Sequence, residues 1–221
     1  MKKRRRKRLV APDSSSLRFD LPALTLGSAP KFVRSWSRLY RKKWDVAYEE
    51  NIRRGQTLTE ANVEALMKWK ATQGKKAALE AAKRVGLDKL NSARTSPFSV
   101  PALQAFYDNT ASLATASGVV YRVMLCHIAW PSEVPIYDVN AWTAWRRIAG
   151  MLTSQDLSAA ATASFNEYLR FRRFVVQLSG TARPEFERQV DHALFCFGRF
   201  LRSDMSPGRQ LIEEEVPKGT H

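Results

Sequence analysis

Cysteine is scarce: Cys126 and Cys196 are the only two in 221 residues. Two thiols cannot build a disulfide framework, a four-cysteine iron–sulfur site or a zinc ribbon, and their scarcity suits a reducing, intracellular setting. Glycine and proline number ten each against 44% hydrophobic residues, which excludes a collagen-like or mostly disordered chain. No apolar run reaches the roughly 18 residues a membrane span needs. The basic opening is followed by Ala11-Pro12-Asp13-Ser14 where a secretion signal would carry its apolar stretch, so no signal peptide is expected. Alternating apolar and polar residues never run long enough to argue for a sheet. Lysine is missing from Leu90 to Pro217, although arginine is frequent there.

Positive charge is abundant. Lys and Arg total 36 against 21 Asp and Glu, a net +15, and the unbroken bases Lys2 to Arg8 account for seven of it. The rest of the chain therefore stays basic without its tail. A basic tail binds polyanions by counterion release, and a basic folded domain adds a docking face, so nucleic acid is the expected partner. An anionic membrane surface ranks second.

Length and composition fit one domain or two small lobes. Residues 1–30 read as a basic arm and linker, 31–206 as a helical domain and 207–221 as a flexible tail. Within the domain the apolar residues recur at helical spacing. Trp36, Leu39, Tyr40, Trp44, Ala47 and Tyr48 predict one helix ending near Gly55. Thr57 and Glu60 have capping-box spacing before the next helix, and another follows Gly74 and stops at Gly86. Longer helices are predicted over 101–116, 119–129, 139–152, 155–178 and 184–202. The expected class is all-α.

The segment that carries chemistry is Ser117-Gly118-Val119-Val120-Tyr121-Arg122-Val123, a helix, and then Val134-Pro135-Ile136-Tyr137-Asp138-Val139-Asn140-Ala141-Trp142. Gly118 before a helix allows a tight turn and leaves the first N–H groups, those of Val119 to Tyr121, free as a phosphate site. Pro135 holds its neighbours extended, so Asp138 falls at the next helix start, where it can cap. Free N–H groups there favour its carboxylate form. An Asp in this position often does no more than cap. Aromatics at helical spacing are more often core than pocket. Cys126-His127 and the His192/Cys196 pair read as packed side chains, not metal ligands, because adjacent helical residues diverge by about 100°. Asp191 is expected to pair with an arginine of the Arg170-Phe171-Arg172-Arg173 segment.

These residues resemble the helix-hairpin-helix DNA glycosylase superfamily, over residues 98–202 and most sharply between Ser117 and Trp142. The hairpin of that superfamily lies over Ser117 to Val123, and its catalytic Asp segment over Val134 to Asn140. Asp138-Val139-Asn140 is similar to the adenine-mismatch branch, while Val134-Pro135 and Trp142 resemble the 8-oxoguanine branch, as does Ala193-Leu194-Phe195 in the last helix. Val120 replaces the second hairpin glycine, the spacing from hairpin to Asp is shorter, and Arg122 stands where a Schiff-base lysine would.

The resemblance implies a two-lobed helical bundle with a hairpin-like element and a site between the lobes. It also implies base flipping in double-stranded DNA, and catalysis by Asp138 with Asn140 positioning water. It assigns DNA contacts to Gly118, Val119, Val120, Tyr121 and Arg122, and pocket walls to Tyr137, Trp142 and Phe195. No cofactor or metal is implied. A guanidinium with a pKa of about 12 or more cannot act as an amine nucleophile. With Lys68, Lys70, Lys75 and Lys76 able to reach the site only from the other lobe, the expectation is a monofunctional enzyme that leaves an abasic site. It would act as a cytoplasmic, nucleoid-associated monomer in base excision repair or in antiviral defence against phage with modified DNA. A catalytically silent helical DNA-binding module, and a nuclease or RNA-binding protein using the Arg-rich helices, are the competing readings.

Overall fold

The computed structural model describes residues 29–53, 56–70, 75–110, 118–152, 164–180 and 188–203. Residues 1–28 of the expected N-terminal arm, the C-terminal tail, Ser117 and the predicted helix starts near 155 and 184 lie outside these residues, while Ala29 and Pro30, the last two of the expected arm, already belong to the first helix. The described elements are helices with no strand among them, in keeping with the all-α expectation. In chain order they are α1 (Ala29–Ser37), a 3-10 turn (Lys42–Trp44), α2 (Val46–Asn51), α3 (Glu60–Lys70), α4 (Lys75–Val85) and α5 (Leu87–Thr95). Then follow α6 (Val100–Asp108), α7 (Gly118–Ala129), α8 (Val139–Ile148), α9 (Phe165–Ser179) and α10 (Arg188–Leu201). No described helix is long and apolar enough to cross a membrane.

The single helix predicted across Trp36 to Tyr48 is instead broken. α1 closes with Leu39 N–H donating to Trp36 and Tyr40 N–H to Ser37, and Asp45 restarts the chain after the 3-10 turn. That break delivers Tyr40 and Asp45 to the site below. The cap of α3 is also displaced from the expected Thr57/Glu60 pair. Thr59 and Asn62 exchange bonds there, Thr59 N–H donating to Asn62 Oδ1 at 2.9 Å and Asn62 N–H to Thr59 Oγ1 at 3.3 Å. Ser99 and Ser164 cap α6 and α9 through their side chains, and Gly180 closes α9 in the left-handed region at φ 64°. Sequence periodicity passes over α5, whose Asn91 amide clamps both backbone polar groups of Leu58.

α7 is apolar on every side and is correspondingly enclosed. One face, with Val123, Cys126 and Ala129, joins the larger apolar cluster of α1, α6, α8, α9 and α10. The other, with Met124, Leu125 and Ile128, joins a second cluster built from α2, α3, α4 and α5. Within this second cluster Arg94 of α5 fastens α7 to the end of α2 by donating to the carbonyls of Ile128 at 2.6 Å and Arg53 at 2.8 Å. α10 packs on α1 through Phe197, whose ring lies 4.9 Å from Trp36 and 5.4 Å from Phe32. Against α8 it comes closer still. A Cβ on Gly198 would stand 1.8 Å from the Asn140 carbonyl oxygen, so only glycine admits the first turn of α8 against α10.

Candidate active site

The first turn of α8 and the middle of α10 border a solvent-open cavity of about 340 Å³, lined also by the end of α3 and by Tyr40. That volume falls at the small end of ligand pockets. Ile136, Ala141, Trp69 and Phe195 provide apolar walls, and the polar groups come from four separate stretches of chain.

Asp138 stands at the mouth of α8 with extended backbone, φ −148° and ψ 175°. Its Oδ1 accepts from the N–H groups of Asn140 and Ala141, both at 2.9 Å, so the cap expected from the sequence forms. Its Oδ2 receives Lys70 Nζ at 2.8 Å. Burial opposes ionisation of this carboxyl. The Lys70 ammonium and the two backbone donors outweigh it and hold the group below the ordinary carboxylate range. The Asp138 side chain keeps 20% exposure while Lys70 keeps 8%, so the carboxylate is reachable from the cavity and the lysine is nearly enclosed.

Lysine thus enters the site from α3, across 68 positions of sequence. Leu66 and Met67, fully buried one turn earlier, fix the roll of that helix, and Trp69 packs on Tyr48 at 4.9 Å. Lys68, two residues earlier, pairs with Glu64 in the exposed part of the same helix. The distance in sequence hides the contact between Lys70 and Asp138. The only signal for it was the lack of any lysine between Leu90 and Pro217.

A second polar group centres on Asp45, which is 1% exposed. Its Oδ1 accepts from Tyr40 OH at 2.7 Å and from Arg188 Nη2 at 3.1 Å, and its Oδ2 bonds His192 Nε2 at 2.6 Å. Burial again opposes ionisation, and the His192 bond, the Arg188 charge and the Tyr40 hydroxyl hold the carboxyl below its ordinary value. Arg188 also reaches Asp191 Oδ2 at 2.9 Å and lies over the Tyr48 ring at 4.3 Å. Asp191 therefore pairs with its own helix, not with the Arg170 to Arg173 segment. Its Oδ1 is buried without a partner, and burial exceeds the pull of Arg188, pushing this carboxyl up to about 6.

Of the residues that the family resemblance assigned to the site, Asp138 and Phe195 line the cavity. Asn140 contributes its N–H to the Asp138 cap and its carbonyl to the contact with Gly198. Tyr137 and Trp142 were expected as pocket walls and are core. Tyr137 is 1% exposed against Tyr168 and Phe171, and Trp142 points away to donate to Glu167 Oε1 at 2.9 Å. α8 starts at Val139, and its helical turn carries Trp142 into the apolar cluster. Gly118 opens α7, with Val119 and Val120 partly buried and Tyr121 buried in the second cluster. Arg122, expected at a phosphate, turns inward. It donates to Thr110 Oγ1 at 2.9 Å and the Tyr107 carbonyl at 2.7 Å, and stacks on the Tyr107 ring.

Cys126 and His127 are fully buried on α7. His127 bonds Tyr48 OH at 2.8 Å and the Val134 carbonyl, and burial pushes its imidazole down to about 3. No family model matches the chain, and no curated protein or solved structure matches it either.

Proposed function

We propose that this protein is a DNA glycosylase. It would draw a damaged or modified base out of the duplex and break the bond between that base and its sugar. One observation carries the reading: an ionised Asp138 carboxylate in the wall of a base-sized cavity, fixed by two backbone N–H groups and still reachable from the cavity. As the base leaves, C1′ takes on positive charge, and a preorganised anion in a water-poor site lowers that barrier. Extrusion costs a few kcal/mol, which phosphate contacts and the apolar walls must offset.

Under this reading α7 with its Gly118 start is the second half of a hairpin-like element. The phosphate is then held by backbone N–H groups at that helix start, since Arg122 is committed to joining α6 and α7. The two apolar clusters are the two lobes. The excess of basic residues supports double-stranded DNA as partner.

Lys70 favours a nested second reading. Its amine stands beside Asp138, so the chemical ground for hydrolysis without strand cleavage, the lack of an amine near the site, does not hold. Attack of that amine on C1′ would give a covalent imine and then strand breakage. Lys70 is held against Asp138 Oδ2 and is nearly enclosed, which favours hydrolysis as the main reaction.

The test incubates the protein with duplexes carrying 8-oxoguanine, 7-methylguanine, hypoxanthine, adenine opposite 8-oxoguanine or 5-hydroxymethylcytosine, and with modified phage genomes. Abasic sites are scored by alkali and covalent complexes by borohydride trapping. Base release that Asp138→Asn abolishes, with DNA binding retained, is expected. Failure to release any base would leave the DNA-binding module without catalysis, and a trapped complex lost in Lys70→Gln would make the enzyme a lyase as well.

A further inference from the structure

His192 is fixed on two sides. Its ring stacks on Tyr40 with centroids 3.9 Å apart and planes 6° from parallel, and its Nε2 is held by Asp45 at 2.6 Å. Those two contacts fix both the plane and the rotation of the imidazole. Nδ1 takes no partner among the described residues and is not sealed off, and the residue borders the same cavity as Asp138. Asp45, anchored in turn by Tyr40 and Arg188, accepts from Nε2–H and so commits that nitrogen. The remaining nitrogen is then the one polar atom of the ring left for a ligand. Around it stand Asp45 and Tyr40 on one side, Arg188, Asp191 and Arg199 on its own helix, and Lys70 and Asp138 elsewhere in the cavity wall.

We propose that His192 is a second catalytic residue, a general acid that protonates the departing base from Nδ1, with Asp45 and Tyr40 as its positioning residues. This rests on the glycosylase reading above and assigns the opposite half of the reaction. The C1′–N bond breaks and its electron pair goes to the base nitrogen. The proton moves from His192 Nδ1 to a ring nitrogen or carbonyl oxygen of that base. Water adds its oxygen to C1′ and passes its proton to Asp138, which releases it to solvent, and solvent returns a proton to His192. The substrate class follows: bases that leave as anions unless protonated, meaning neutral purines and pyrimidines, depend on His192. A base already cationic in the duplex, such as 7-methylguanine, leaves neutral and needs no acid.

Single-turnover release from the duplex panel above, across pH, compares wild type with His192→Gln, each checked for melting temperature and duplex affinity. His192→Asn replaces the glutamine variant if the latter does not fold. General-acid catalysis contributes about 10² to 10⁴-fold. The variant is therefore expected to lose about 10²-fold or more on neutral bases, to lose the fall of rate with rising pH, and to release 7-methylguanine at close to the wild-type rate. Asp45→Asn should reproduce part of the loss. Unchanged rates and pH profile, or equal loss on neutral and cationic bases, would overturn the assignment while leaving the glycosylase reading intact. A wild type that releases no base overturns both.

Discussion

His127 is closed on all sides, with one nitrogen on Tyr48 OH, the other on the Val134 carbonyl and none of its surface exposed. His192 has one nitrogen held just as firmly, by Asp45, while the other is open and 19% of its side chain is exposed. Both rings stack on a tyrosine, Tyr48 in the first case and Tyr40 in the second. The residue types are the same and what differs is completion. A satisfied polar node ties α2, α7 and the segment before α8 together, whereas an unfinished one beside a cavity has bonding capacity left for something that is not protein. Asp138 shares the second condition, being fixed through Oδ1 and reachable from the cavity.

That contrast predicts where activity and stability separate. The largest effect belongs to the open side. Asp138→Asn keeps the cap of α8, because asparagine caps nearly as well, and removes the charge that C1′ needs. Base release is expected to fall about 10² to 10³-fold in single-turnover assays, with the fold retained at a melting temperature lowered by loss of the Lys70 ion pair. A variant that unfolds instead would mean that Asp138 belongs with the closed, structural nodes.

Next in size is Gly198→Ala, which acts on the scaffold beneath both sides. The added carbon meets Asn140 backbone, which cannot rotate away, so α8 must move off α10. A loss toward the upper end of about 1 to 3 kcal/mol is expected in urea titrations. Because the displaced turn carries Asp138, activity should fall along with stability.

A smaller effect sharpens the comparison by pH. His127 titrates near 6.5 unfolded and about 3 folded, so the native state loses stability as pH drops through that interval. Asp191 goes the other way, from 3.8 unfolded to about 6 folded, and gains native stability over the same acidification. Between about pH 6 and 4 the two offset. Wild-type stability should therefore be nearly flat there. Asp191→Asn should expose the His127 loss, about 1.4 kcal/mol per pH unit, and His127→Gln should make the protein more stable on acidification. Melting curves at pH 4, 5 and 6 check the signs. Parallel curves for all three proteins would show that neither group is linked to folding.

Much of this was readable from sequence where the cause is local. The helical class, the boundaries of α4 and α7, and the capping aspartate follow from periodicity, glycine positions and the Pro135 to Asp138 spacing. What escaped the sequence depends on partners far along the chain. Nothing near Lys70 announces Asp138, and nothing near His192 announces Asp45, 147 positions earlier. Tyr137 and Trp142 show the converse error. The family resemblance made them pocket walls, whereas the rotation set by α8 and the apolar cluster of α9 turns both inward. Arg122 was misplaced for a similar reason, since Thr110 and the end of α6 offered its guanidinium a closer set of acceptors than solvent.

The central claim is electrostatic, and it can be measured without knowing which base is removed. Two duplexes differ only at one position, one carrying a neutral tetrahydrofuran abasic analogue and the other a pyrrolidine whose ring nitrogen is cationic like the developing C1′. Wild type should bind the cationic duplex more tightly, by about 10²-fold or more as transition-state analogues do, and Asp138→Asn should bind the two alike. Equal affinities in the wild type, or a preference that survives in Asp138→Asn, would contradict the account.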